Sequence, residues 1–309
     1  MTGSGKKVLL VVIILGAILS LGVLFSLSSP GTQVKNGDQV GRIYLSGPIQ
    51  DSFSGFGSEA ITPSYVASRL KEAKEKNLEA VVLRVNSPGG SVASSQEIYN
   101  LLQDFEKPVI VSVGDMSASG GYYISSAADE IVAQPGSMTG SIGVISTFVN
   151  PEELYDKLGI EMQTIKSGKH KDMFSRELRS EERELMQELS DNAYNQFIDH
   201  IVEGRGMEKE KVKELATGEI FTGEQARENG LVDQLGGMDK ALERAGSLAD
   251  LEDPVYYDFS EPGLFEKLRS FSINLPQLVY KSVVSPEVLI IEKLESGLSP
   301  AIQYKVPGY

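Results

Sequence analysis

The first apolar run of the chain is its longest. Residues 8–27 are uncharged and almost wholly apolar, and as a helix rising 1.5 Å per residue they are long enough to cross a hydrocarbon core about 30 Å thick. Lys6 and Lys7 precede the run, and a Ser-Ser-Pro-Gly linker follows it. The positive-inside rule then predicts a cytoplasmic segment over 1–7, a transmembrane helix over 8–28, a linker over 29–38 and an extracytoplasmic remainder. A cleaved signal peptide is the alternative, but its apolar core usually runs about 7–15 residues.

Past the linker the apolar positions come in short runs that alternate between two periods. Gln39 to Ser46 reads as a strand, and Thr62-Pro63 opens a helix with Val66, Leu70 and Ala73 on one face. Residues 78–85, LEAVVLRV, form a mostly β-branched run suited to a strand buried on both sides. It ends in Asn86-Ser87-Pro88-Gly89-Gly90, after which Val92, Ile98, Leu101, Leu102 and Phe105 recur at helical spacing. Lys107-Pro108 stops that helix and leads into a strand at 109–113. Strand and helix in alternation predict an α/β fold with a mostly parallel sheet.

Further along, 130–133 reads as a strand, 135–140 as a turn, and 141–149, SIGVISTFV, as another strand. Asn150-Pro151-Glu152-Glu153 starts a helix, and 161–166 is extended before a polar loop, Ser167 to Asp172. A long helix is predicted from an N-cap at Ser180, with Leu185, Leu189, Ala193, Phe197 and Ile201 on a core-facing stripe. Its charged face, including Arg183, Glu184 and Glu188, is expected to be solvated. The last sixty or so residues hold many prolines among short amphipathic pieces, which sets off an extension at 249–309 from a domain at 39–248.

Composition narrows the chemistry. A net charge of −14 and a pI near 4.7 argue against a nucleic-acid surface. No cysteine is present and only two histidines are, which rules out disulfides, thiolate zinc sites and a thiol nucleophile and disfavours a histidine-rich metal site; no cofactor is expected. The stretch from Gly114 to Tyr123 places Ser119 at a strand exit, before two glycines and a helix-compatible run. Such a serine serves either as a small N-cap or as a nucleophile. The second use needs hydrogen-bond donors for an oxyanion and a base. The N–H groups of Gly90 and Gly120 are the candidate donors. His200 lies among Phe197, Ile198 and Ile201 and reads as a core histidine, so the base falls to His170 or to Lys166, Lys169 or Lys171. A lysine base requires its pKa to come down from about 10.4 towards 7, about 4 kcal/mol in favour of the neutral amine.

Five motifs in order carry a resemblance over roughly 40–248. They are Asn86-Ser87-Pro88-Gly89-Gly90-Ser91, Ala118 to Tyr123, Thr139 to Val144, Ser167 to Lys171, and Phe221-Thr222-Gly223 with Gly230 to Asp233. With the apolar anchor, they make the chain resemble the bacterial signal peptide peptidase A family, in its short single-domain form. The resemblance implies a Clp-protease/crotonase-like fold and a Ser-Lys dyad, with Ser119 as nucleophile and Lys171 as general base. It further implies that Ser141 orients the lysine amine and that Gly90 and Gly120 form the oxyanion hole. The expected partners are signal peptides and other apolar peptide segments, misfolded secreted proteins, and the membrane. A homo-oligomeric ring, up to an octamer, is expected too, with a site shared between subunits. Glu219 departs from the family pattern, where a basic residue is more usual. The alternatives on the same fold are a crotonase-type acyl-CoA enzyme, which the Ser-Lys motifs disfavour, and a membrane scaffold without activity.

Overall fold

The computed structural model describes residues 39–52, 60–150, 152–161 and 163–259. The predicted anchor over 8–28, the linker and nearly all of the C-terminal extension lie outside the described residues. Among the described residues no helix is long and apolar enough to cross a membrane. The chain divides into two units after Tyr257, and the account below concerns the first.

Its frame is one eight-stranded sheet. Strand β1 (Gln39–Ser46) is followed by helix α1 (Pro63–Glu75), β2 (Ala80–Ser87), α2 (Val92–Gln103), β3 (Val109–Ala118) and α3 (Gly120–Ser125). Then come β4 (Glu130–Ala133), β5 (Met138–Gly140), α4 (Glu152–Leu158), α5 (Ser180–Arg205) and α6 (Lys209–Leu215). The series closes with β6 (Ile220–Thr222), α7 (Gly223–Glu228), β7 (Gln234–Leu235), α8 (Met238–Leu248) and β8 (Val255–Asp258). The main path across the sheet is β6-β5-β3-β2-β1-β8. Strands β1, β2 and β3 pair in parallel, as the alternation of strand and helix predicts.

Strand β3 organises the rest. Its first half pairs with β4, from Ile110 against Glu130 to Ser112 against Val132. Its second half pairs with β5, from Met116 against Met138 to Ala118 against Gly140. One strand therefore receives two partners in succession along the same edge, and the second brings Gly140 beside the residue before Ser119. On one face, Val40, Ala80, Val82, Ile110 and Val132 pack against Ala241, Leu242 and Ala245 of α8. On the other, α3 lies on β2 and β3, α2 on α3, and α1 on α2. Each Val, Leu or Ile so buried contributes about 1.5–3 kcal/mol, and most of β2 and β3 is buried on both faces, so this is the most firmly held part of the chain.

The cap expected at Thr62 is present, and a second stands at Thr222. Thr62 Oγ1 accepts the N–H of Tyr65 at 3.2 Å, and Pro63 is the first residue of α1. Thr222 and Gln225 exchange side-chain and backbone hydrogen bonds of 3.2 and 2.9 Å at the start of α7.

Three expectations are corrected. Residues 141–149 form no strand, and the pairing is taken by 138–140, which the sequence reading placed in a turn. Beyond Gly140 the pairing with β3 has ended, and Ile145 and Val149 lie exposed at 88% and 79%, so the apolar, β-branched composition finds no ladder within this unit. The long helix has Arg179 as its cap and Ser180 as its first residue. Finally, its stripe is buried only in its C-terminal half: Phe197 and Ile201 are in the core, whereas Leu185 and Leu189 are exposed.

Candidate active site

Ser119 is held in a conformation that its residue type does not favour. It stands between β3 and α3 with φ 53° and ψ −122°, a region costly for a residue with a Cβ. Its N–H donates to the carbonyl of Gly140 at 2.8 Å, and its own carbonyl accepts the N–H of Tyr123 at 2.9 Å. The strand before it and the helix after it thus fix the turn from both sides, and the side chain remains partly exposed.

The turn at Gly89 and Gly90 lies directly against it. A Cβ at Gly89 would stand 2.6 Å from the nitrogen of Gly120 and 2.9 Å from the Cβ of Ser119; one at Gly120 would stand 3.1 Å from the nitrogen of Gly90. Only glycines allow this approach. The turn is itself strapped by Ile49, whose N–H donates to Gly89 at 2.9 Å and whose carbonyl accepts from Ser91 at 2.8 Å. Among the described residues, neither the N–H of Gly90 nor that of Gly120 is taken up by a backbone acceptor.

Ser141 is the other serine in a left-handed conformation, with φ 49°. Its N–H donates to the carbonyl of Glu219 at 2.7 Å, while the antiparallel pairing of β5 with β6 sets Phe221 against Thr139. The family departure at Glu219 therefore concerns an exposed side chain whose backbone holds the Ser141 turn. Ser119 and Ser141 line one cavity of about 480 Å³, whose opposite wall includes Gln187, Ser190, Asp191 and Tyr194 of α5. A second, far smaller space of about 20 Å³ adjoins Ser119 and Gly90 and is lined by Tyr123, Val144 and Phe197 among others. It has room for little more than one water molecule.

The structure thus brings together Ser119, Ser141, Gly90 and Gly120. Lys171 is exposed and lines neither cavity. Its loop is organised by charge. Lys166 Nζ bonds Asp172 Oδ1 at 2.6 Å, and Lys169 pairs with Glu181. Arg176 grips Asp172 through Nε at 3.1 Å and Nη2 at 2.9 Å, and Glu182 through two bonds of 2.8 Å. The Glu182 side chain is fully buried and also accepts the N–H of Arg179 at 2.9 Å, with His170 Nδ1 at 3.3 Å. The Arg176 guanidinium, then the Arg179 N–H, hold the Glu182 carboxyl far below the usual carboxylate range. Arg176 and then Lys166 do the same for Asp172. Arg176 and Glu182 are not among the residues that the sequence singles out. An acidic N3 position three residues after the cap was the available signal.

His200 is a packed histidine, as its apolar neighbours indicate. Its Nδ1 is 2.5 Å from the Tyr123 hydroxyl, and its ring stacks on Tyr99 at 4.3 Å between centroids. Burial pushes the Tyr123 phenol up to about 12, so it stays neutral at any ordinary pH.

A strained serine at a strand end, packed against a Gly-Gly turn beside a parallel sheet, fits the architecture of a Clp-type serine peptidase, and a Clp protease family model matches residues 53–139. A model of peptidase family S49 matches residues 102–252. A provisionally named protease of Synechocystis sp. is 45% identical over 205 residues, covering 65% of this chain and 74% of that protein. Another, from Methanocaldococcus jannaschii, is 34% identical over 278 residues, covering 84% and 89%. A protein of Enterococcus faecium provisionally named signal peptide peptidase SppA is 38% identical over 226 residues, covering 71% and 66%. The chain belongs to peptidase family S49 and is a serine protease.

Proposed function

We propose that this protein is a membrane-anchored endopeptidase that degrades remnant signal peptides and misfolded secreted proteins by a Ser-Lys mechanism. Ser119 Oγ attacks the peptide carbonyl as its proton passes to the Lys171 amine. The N–H groups of Gly90 and Gly120 receive the oxyanion. The ammonium then protonates the leaving amine, and the neutral lysine activates the water that hydrolyses the acyl-enzyme. Ser141 orients the lysine amine in the larger cavity. The smaller space takes the side chain preceding the scissile bond and admits only small ones. The E. faecium relative's name supports signal peptides as substrates, and the apolar run at 8–27 supports anchoring beside them.

The observation that carries this reading is the packing of the Gly89-Gly90 turn against Ser119, with Ser141 in the same cavity. Lys171 is assigned to a second copy of the chain. That assignment is supported by its position outside the cavity walls of its own chain and by the apolar side chains exposed between the site and the lysine loop, Ile145, Val149, Leu154, Leu158 and Ile165. The reading is tested by labelling with a serine-directed phosphonate and by cleavage of a signal-peptide substrate. Wild-type protein should give both and Ser119→Ala neither; a Ser119→Ala protein that still cleaves overturns it.

A further inference from the structure

The loop that carries Lys171 is anchored on both sides of that residue. His170 turns to Glu182, and Asp172 is gripped by Arg176, so the two neighbours of Lys171 point into one network while Lys171 itself is exposed. The hub of the network is a single guanidinium with a carboxylate on each side. It bonds Asp172 through two nitrogens and Glu182 through two, and it also donates to the carbonyl of Glu177 at 2.8 Å. Of the two carboxylates, Glu182 is fully buried and sits in the first turn of α5. That same helix provides the far wall of the Ser119 cavity through Gln187, Ser190 and Asp191. The lysine loop is thus referenced to the rigid element that shapes the site, although it contains no regular structure of its own.

The chemistry of the hub suits placement better than stabilisation. A planar fork fixes direction as well as distance, and a lysine at the same point would supply charge without direction. A displacement of about 1 Å in a catalytic group can cost about 100-fold in rate. We propose that Arg176 is a positioning residue for the general base: it clasps Asp172 to Glu182 and so holds Lys171 where its amine can reach Ser119. The inference rests on Lys171 being the base. It holds whether Lys171 serves its own chain or a neighbour, since the clasp lies wholly within the chain that supplies the lysine.

The test uses the full-length protein in detergent, a fluorogenic peptide substrate, and wild type, Arg176→Ala, Arg176→Lys and Lys171→Ala side by side, each assayed well below its own melting temperature. Arg176→Ala should lower kcat about 10- to 100-fold with KM changed less than about threefold. Arg176→Lys should recover little of the loss. Millimolar guanidinium ion, filling the space of the missing fork, should restore Arg176→Ala severalfold and leave Lys171→Ala inactive. A wild-type kcat in Arg176→Ala beside an inactive Lys171→Ala overturns the proposal and leaves the base assignment standing. So does a loss that guanidinium does not relieve and Arg176→Lys repairs in full, because charge alone would then suffice. Full activity in Lys171→Ala removes the base assignment itself, and the proposal with it. If Arg176→Ala does not fold, Arg176→Lys decides: an unchanged kcat overturns the proposal and a deep, KM-neutral loss sustains it.

Discussion

Ser119 gives its backbone N–H to the carbonyl oxygen of Gly140 at 2.8 Å, so the turn that bears Ser119 and the turn that bears Ser141 are locked together. Both serines are in left-handed conformations, with φ of 53° and 49°. Such strain costs about 1–3 kcal/mol per residue and persists only where its surroundings enforce it. Glycine at 119 would relieve it, against an entropic cost of about 0.5–1 kcal/mol. Ser119→Gly should therefore be inactive yet at least as stable as Ser119→Ala, by up to about 1–2 kcal/mol in urea unfolding. A Ser119→Gly protein clearly less stable than Ser119→Ala would show that the conformation carries no strain.

The proposed oxyanion donors can be tested at Gly90. A Cβ there would lie 2.0 Å from the carbonyl oxygen of Ile49, which has no room to retreat, whereas a Cβ at Gly136 meets nothing within 4 Å. Gly90→Ala should lower kcat by at least the roughly 100- to 1000-fold expected for loss of one donor and should also reduce the melting temperature. Gly136→Ala should change neither. Comparable activities in the two variants would remove Gly90 from the mechanism.

The proposal that a second copy completes the site predicts that activity can be rebuilt from two damaged chains. Ser119→Ala and Lys171→Ala proteins, each inactive alone, should regain up to about a quarter of wild-type activity when unfolded and refolded together, as mixed assemblies pair an intact serine with an intact lysine by statistical exchange. Recovery at background level would mean that Lys171 serves its own chain.

The acid behaviour of the lysine loop follows from Glu182 and Asp172. Both are held below their unfolded values, which lie near 4.3 and 3.9. Their stabilisation is fully present above about pH 4.3 and is lost as pH falls through the lower folded values. Glu182→Gln should accordingly melt earlier than wild type at neutral pH, with the gap narrowing steadily below about pH 4. A gap independent of pH would mean that shape rather than charge makes the contact.

The small space beside Ser119 sets a size limit that Val144 can relax. Val144 is only partly buried, so Val144→Ala should cost little stability, about 1 kcal/mol or less. It should raise cleavage after leucine relative to alanine in a matched peptide series. An unchanged ratio would place the specificity pocket elsewhere.

The sheet was legible because its strands are buried on both faces, and runs such as AVVLRV announce that burial by composition alone. Thr62-Pro63 was legible for a different reason, since a cap is local. Residues 141–149 misled because their β-branched composition reports a need for burial without saying against what; Ile145 and Val149 find nothing in this unit to pack on. Leu185 and Leu189 misled in the same way. The convergence of Gly90 with Ser119 could be anticipated from two strand-to-helix turns in adjacent parallel strands, which must lie side by side at one sheet edge. The Arg176 clasp could not, because its geometry depends on how a loop without periodicity folds back on a helix start.

Strand β3 holds Ser119 through buried aliphatic contacts with partners along both edges, while the lysine loop is held by paired charges, buried at Glu182 and exposed at Lys169 and Glu181. The two halves of the machinery therefore answer to different solvents. A kosmotropic salt such as sulfate screens the exposed Lys169–Glu181 pair and strengthens apolar burial, so it bears on the lysine loop before it bears on the strand that carries Ser119. Concentrated sulfate would then lower turnover while the cooperative unfolding of the sheet moves to higher temperature.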